Sequence, residues 1–173
     1  MTELPVEFAV ETTMTASPTT LNHFLGLLAE RGQRSGLFGP CRVENGRLVC
    51  DAKESAAPAQ YRVEQDQGRL WVVLVTADRW LSESIETDLL HTGDKLNELV
   101  DEELVELGYD GPATSFQHYR SDDKLFTFRT EIPVALESAR RSEQAAVETA
   151  VTFLLGYEAC FRRLGDMQSK DQE

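Results

Sequence analysis

The chain has 173 residues, 41% apolar and 27% charged, with a formal net charge of −13. That length suits one domain with its own core, and the composition argues against wholesale disorder. The acidic balance argues against nucleic acid and anionic membrane surfaces as partners, and no apolar run reaches the roughly 20 residues that span a bilayer.

Residues 1–17 read as an N-terminal extension, with Val6-Glu7-Phe8-Ala9-Val10-Glu11 alternating loosely as a candidate edge strand. Met1-Thr2-Glu3-Leu4-Pro5 lacks the basic and apolar regions of a secretory signal, so a cytoplasmic protein is expected. Ser17-Pro18 opens a first helix, whose stripe is Leu21, Phe24, Leu25 and Leu28, widened by Leu27. Gly32, with Gly36 and Gly39 after it, is expected to end it.

Short strands follow. Asn45-Gly46 between Cys41-Arg42-Val43-Glu44 and Arg47-Leu48-Val49-Cys50 is a strong hairpin signal, because both turn residues accept positive φ. Gln60-Tyr61-Arg62-Val63-Glu64 alternates, and Asp66-Gln67-Gly68 turns it into Leu70-Trp71-Val72-Val73-Leu74-Val75. This run is apolar on both faces and is expected to be buried on both. Asp78 caps a helical region with Trp80, Leu81 and Ile85 inward, broken at Gly93. A further helix over 94–107 carries Leu96, Leu99, Val100, Leu104 and Leu107 and ends at Gly108. Two strands, 115–120 and 125–132, flank the turn Ser121-Asp122-Asp123-Lys124. Ser142 caps the last helix, where Val147, Val151, Leu154 and Phe161 form one row and Ala150, Phe153, Tyr157, Cys160 and Leu164 broaden it. The result is an α+β domain over 18–167, an antiparallel sheet covered by helices in the order α-β-β-β-α-β-β-α, followed by a polar tail at 168–173.

Chemistry-bearing patterns are sparse. Gly36-Leu37-Phe38-Gly39 lacks the Lys-Ser/Thr of a phosphate loop, and neither a nucleophile elbow nor an H-E-x-x-H zinc helix is present. The three cysteines, Cys41, Cys50 and Cys160, show no C-x-x-C spacing and read as small buried apolar groups. His91 lies near Asp88 and Asp94, but one imidazole and two carboxylates on a loop are weak grounds for a metal or acid–base site. His118, opposite Phe116 in an alternating strand, is expected to be exposed. No cofactor and no metal are expected.

Charge is more informative. Between Glu83 and Asp110 lie ten carboxylates and one base, Lys95. They read either as the solvated face of a helix or as a surface steering a basic partner segment, with Glu98, Asp101, Glu102 and Glu106 as the steering residues. The last helix is apolar over more than one stripe. Either it packs across the whole sheet, or Val147, Val151, Leu154, Leu155 and Phe161 meet a partner or a second copy.

This order of elements resembles the type III secretion chaperone-like fold, which includes the Tir-chaperone group and the YbjN-like proteins. The likeness is carried by the hairpin at 60–76, the acidic helix at 94–107, the second hairpin at 116–132 and the helix at 146–167. Phe153-Leu154-Leu155-Gly156-Tyr157-Glu158 looks like the C-terminal helix of YbjN-like proteins. The chain departs from the secretion chaperones in its extension and its added Asn45-Gly46 hairpin. The resemblance implies a homodimer that holds an extended protein segment along apolar grooves. The expected function is thus non-catalytic protein binding, chaperone-like or adaptor-like, by edge-strand addition or groove filling. The alternatives are an enzyme or small-ligand binder with a pocket between helix and sheet near Trp71, Trp80 and His91, or a subunit of a larger assembly.

Overall fold

The computed structural model describes residues 18–135 and 143–168. Helix α1 (Pro18–Ser35) leads into strands β1 (Cys41–Glu44), β2 (Arg47–Asp51), β3 (Ala59–Asp66) and β4 (Arg69–Thr76). Helices α2 (Arg79–Thr92) and α3 (Leu96–Glu106) follow, then β5 (Gln117–Arg120), β6 (Phe126–Ile132), α4 (Glu143–Phe161) and a 3-10 turn, Gly165–Met167. The expected edge strand at 6–11, the caps Ser17 and Ser142, and the tail beyond Gln168 lie outside the described residues.

The strands form one sheet in the order β1-β2-β3-β4-β6-β5, antiparallel at every pairing. The α+β class with helices over an antiparallel sheet is thus as the sequence predicts. Four strands rather than three precede α2, because the Asn45-Gly46 hairpin joins the main sheet. Both tight turns use left-handed pairs, Asn45 (φ 54°) with Gly46 (φ 74°) and Gln67 (φ 53°) with Gly68 (φ 78°). That backbone twist matches the twist of the strands it joins.

β4 is hydrogen-bonded on both edges, with Leu70 opposite Gln65 on one side and Ile132 on the other. Every residue from Leu70 to Thr76 is buried. Alternation divides them. Leu70, Val72 and Leu74 join the large core shared with the helices, while Trp71, Val73 and Val75 cluster with Leu125 on the opposite face. There the Arg129 guanidinium lies 3.8 Å from the Trp71 ring centroid and pairs with Asp66 at 2.9 Å.

The helices pack on the first face. Phe24, Leu25 and Leu28 of α1 are buried, as is the broad face of α4. α4 touches α1, α3 and strands β3, β4 and β6. A helix apolar nearly all round is one covered from several sides. Gly156 lets α3 pack closely on α4: a Cβ there would stand 2.7 Å from a Leu104 methyl. Inside this core the Tyr157 hydroxyl and Thr130 Oγ1 share a hydrogen bond of 2.7 Å.

Candidate functional site

Four of the five residues expected to form an apolar contact are already used by the chain itself. Val147, Val151, Leu154 and Phe161 are buried in its core, and Leu155 is half-buried against it. Of the two readings of α4, the open contact stripe is the one overturned: α1, α3 and the sheet cover it, as packing across the sheet requires. The acidic set divides too. Glu98, Glu102 and Glu106 are exposed on α3, whereas Asp101 accepts hydrogen bonds from the Thr114 amide (3.0 Å) and hydroxyl (2.7 Å). Asp101 thus holds the loop ahead of β5.

Of the three residues expected to share a pocket, Trp80 and His91 line one depression and Trp71 does not. Trp71 lies on the sheet face away from the main core, while Trp80 and His91 lie on α2. His118 is half-buried, which corrects the expected exposure. It pairs with Phe128 across the β5–β6 ladder, and their rings stack at 3.8 Å. Its Nδ1 faces the Thr127 carbonyl at 2.9 Å and its Nε2 faces Glu86 of α2 at 2.5 Å, so it fastens α2 to the sheet edge.

What α2 does build is a groove. Asp78 caps the helix by accepting from the Leu81 amide at 2.8 Å, and Gly93 closes it at φ 80°. Trp80, Glu83, Ser84, Thr87, Asp88 and His91 then recur at helical spacing along one face. Gly165 and Asp166 of the 3-10 turn form one wall, packed directly on the helix, beside a shallow and largely open depression of about 510 Å³. Two hydrogen bonds fix that wall, from the Gly165 amide to Asp88 Oδ2 and from the Asp166 amide to Ser84 Oγ, both 2.9 Å. Gly165 has φ +54°, and a Cβ on it would lie 2.6 Å from the Ile85 amide nitrogen, so the close approach requires glycine.

The lining carries Glu83, Asp88 and Asp166 and, among the described residues, no Lys or Arg. Arg79 pairs with Glu83 at 3.1 Å on the rim. Trp80, expected to face inward with Leu81 and Ile85, is instead 74% exposed at one end of the groove, and the strongly exposed Leu90 lies on the same helix. An exposed indole beside carboxylates is a receptor for ammonium or guanidinium groups, through the ring face and through charge.

A second, smaller cavity of about 150 Å³ lies between Tyr61, Glu158, Arg162, Met167 and Lys53. Glu158 is only 7% exposed. Its Oε1 accepts no hydrogen bond, and Arg162 Nη2 stands 3.5 Å away. Burial pushes its carboxyl above the usual range, against the pull of Arg162 and Lys53. Sequence reading missed this site. The available signal was one carboxylate, four residues before an arginine, in the largely apolar second half of the helix.

Among the described residues, no group of three or more His, Cys, Asp or Glu side chains is placed to hold a metal, and no helix is long and apolar enough to cross a membrane. No protein-family model, curated protein or solved structure matches the chain.

Proposed function

We propose that the chain is a non-catalytic protein-binding domain, chaperone-like or adaptor-like, that takes a basic extended segment of a partner protein into the groove beside α2. The observation that carries this reading is Trp80, 74% exposed at the end of a groove lined by Glu83, Asp88 and Asp166. A large exposed aromatic in a wet acidic groove is poor as packing and good as a contact for a lysine or arginine side chain. One such contact is worth about 0.5–1 kcal/mol at an exposed site, so several must act together. The chain's net charge of −13, with Glu98, Glu102 and Glu106 nearby in sequence, accelerates encounter and makes binding salt-dependent. The resemblance to the type III secretion chaperone-like fold points the same way, toward an extended protein ligand. The proposed working form is a homodimer, for which the exposed Val105 and Leu107 at the end of α3 offer apolar surface.

The test is a tryptophan-fluorescence titration with an arginine- and lysine-rich peptide of about ten residues, an order-of-magnitude length for a segment lying along a groove. Binding is expected at low salt and should weaken about tenfold or more in Trp80→Ala and in the pair Glu83→Lys, Asp166→Lys, read by peptide anisotropy where the indole is gone. A peptide that binds both variants as tightly as the parent removes the groove from the reading. Selective loss in Glu98→Lys, Glu102→Lys, Glu106→Lys would move the site to α3.

A further inference from the structure

Strands β1 and β2 set Cys41 directly opposite Cys50. The ladder alternates between hydrogen-bonded and open pairs, and the Asp51 amide donating to the Pro40 carbonyl at 3.2 Å marks a bonded pair next to the cysteines. Cys41 and Cys50 therefore occupy an open pair, where Cα atoms stand about 4.5 Å apart and side chains lean together. A disulfide needs roughly 4.4–6.8 Å between Cα atoms. Both side chains point to the helix side, beneath Gly32 of α1. A Cβ on Gly32 would lie 3.3 Å from the Cys41 sulfur and 3.7 Å from the Cys50 sulfur. A glycine inside a helix costs about 1 kcal/mol relative to alanine, and here the two sulfurs occupy the space it leaves.

The two thiols are unequal. Cys41 is half-buried and Cys50 fully buried, and both are reduced. The hydrogen bond from the Cys50 thiol holds Cys41 below the usual thiol range, while that bond and burial push Cys50 well above it. A less buried, more acidic thiol beside a buried one is the arrangement of an attacking and a resolving cysteine. Cys160 lies buried on α4.

We infer that Cys41 and Cys50 are a redox site that closes to an intrachain disulfide when Cys41 meets a hydroperoxide. In the first step the Cys41 thiolate attacks one peroxide oxygen and the O–O bond breaks. Cys41 becomes a sulfenic acid, and the departing hydroxide or alkoxide takes up the proton that the thiol has lost. In the second step the Cys50 sulfur attacks the sulfenic sulfur, its proton leaves with the hydroxyl as water, and the S–S bond forms. Two thiols are oxidised by two electrons and one hydroperoxide is reduced to water and an alcohol or a second water. The bond ties the outermost strand β1 to β2.

The test treats the whole reduced chain with hydrogen peroxide, alkylates the remaining thiols and reads intact mass and a peptide map. The expected result is a loss of about 2 Da before alkylation, two hydrogens, a cross-linked peptide joining Cys41 to Cys50, a Cys160 that carries no oxygen and is the one thiol left to alkylate, and full reversal by dithiothreitol. In Cys50→Ala, Cys41 should instead accumulate as a sulfenic acid trapped by dimedone. The wild-type measurement stands even if that variant folds poorly. Wild-type protein that gains oxygen at Cys41 without cross-linking, links Cys41 between two chains, bonds Cys41 to Cys160, or shows no change under peroxide overturns the inference.

Discussion

Leu154→Ala separates a core role for α4 from an interface role. Leu154 is 0% exposed, and one of its methyls would lie 3.6 Å from a Cβ placed on Gly32 of α1. The substitution deletes three buried carbons, about 2.4 kcal/mol at roughly 0.8 kcal/mol each. The cavity left between α1, α4 and β2 raises this to about 3–4 kcal/mol, within the range of buried leucine truncations. For a chain of this size, each kcal/mol lowers Tm by about 2–4 °C, so a fall of roughly 6–16 °C is expected. Urea denaturation followed by circular dichroism measures the loss directly, and the slope of the transition should stay near that of the parent. Leu155→Ala, at a half-buried site, should cost about 1 kcal/mol. A loss below about 1 kcal/mol for Leu154→Ala, together with weakened self-association or peptide capture, would refute the core assignment and restore α4 as a contact surface.

The same physical account makes two further predictions. Gly165→Ala meets both a left-handed backbone and the Ile85 nitrogen, so a cost of about 2–4 kcal/mol is expected in urea unfolding, with loss of peptide binding in the α2 groove. An effect below about 0.5 kcal/mol would show that the 3-10 turn moves freely away from α2. Glu158 has a folded-state pKa raised by burial, so between its unfolded and folded values the native state holds more protons and stability falls as pH rises. Glu158→Gln should therefore raise Tm at neutral pH, and the advantage should vanish on acidification below the unfolded carboxyl pKa. A variant less stable than the parent at neutral pH would mean that the Arg162 pairing outweighs the burial penalty.

Local grammar was legible. Both tight turns, the Asp78 cap and the Gly93 stop depend on residues whose conformational preferences act within a few positions. The doubly buried β4 followed from an unbroken apolar run. What failed was assignment of neighbours. Periodicity shows how much of α4 is apolar but not that α1, α3 and the sheet cover it. A period of two sets His118 on the same face as Phe116, not opposite it, so the expected exposure does not follow from the alternation. The ladder opposes His118 to Phe128 of the main core. The α2 groove depends on a wall about 80 residues later in the chain, with Ser84 reached from Asp166, and no local pattern records that closure. No local pattern marks Glu158 as buried, because its burial comes from the cavity it shares with Tyr61, about a hundred residues earlier.

Where β4 sits in the sheet has a consequence for synthesis. Its first hydrogen-bonded neighbour, β3, comes through a tight turn, but its second, β6, pairs Leu70 with Ile132 across the whole intervening α2–β5 region. Emerging from the ribosome N-terminus first, the chain carries a finished hairpin whose outer border is a row of unsatisfied amides flanked by leucine and valine. That border stays open to other nascent chains until β6 is translated, and loop closure of this span slows its capture. A ribosome stalled between Thr76 and Phe126 would therefore hold the polypeptide in its stickiest form.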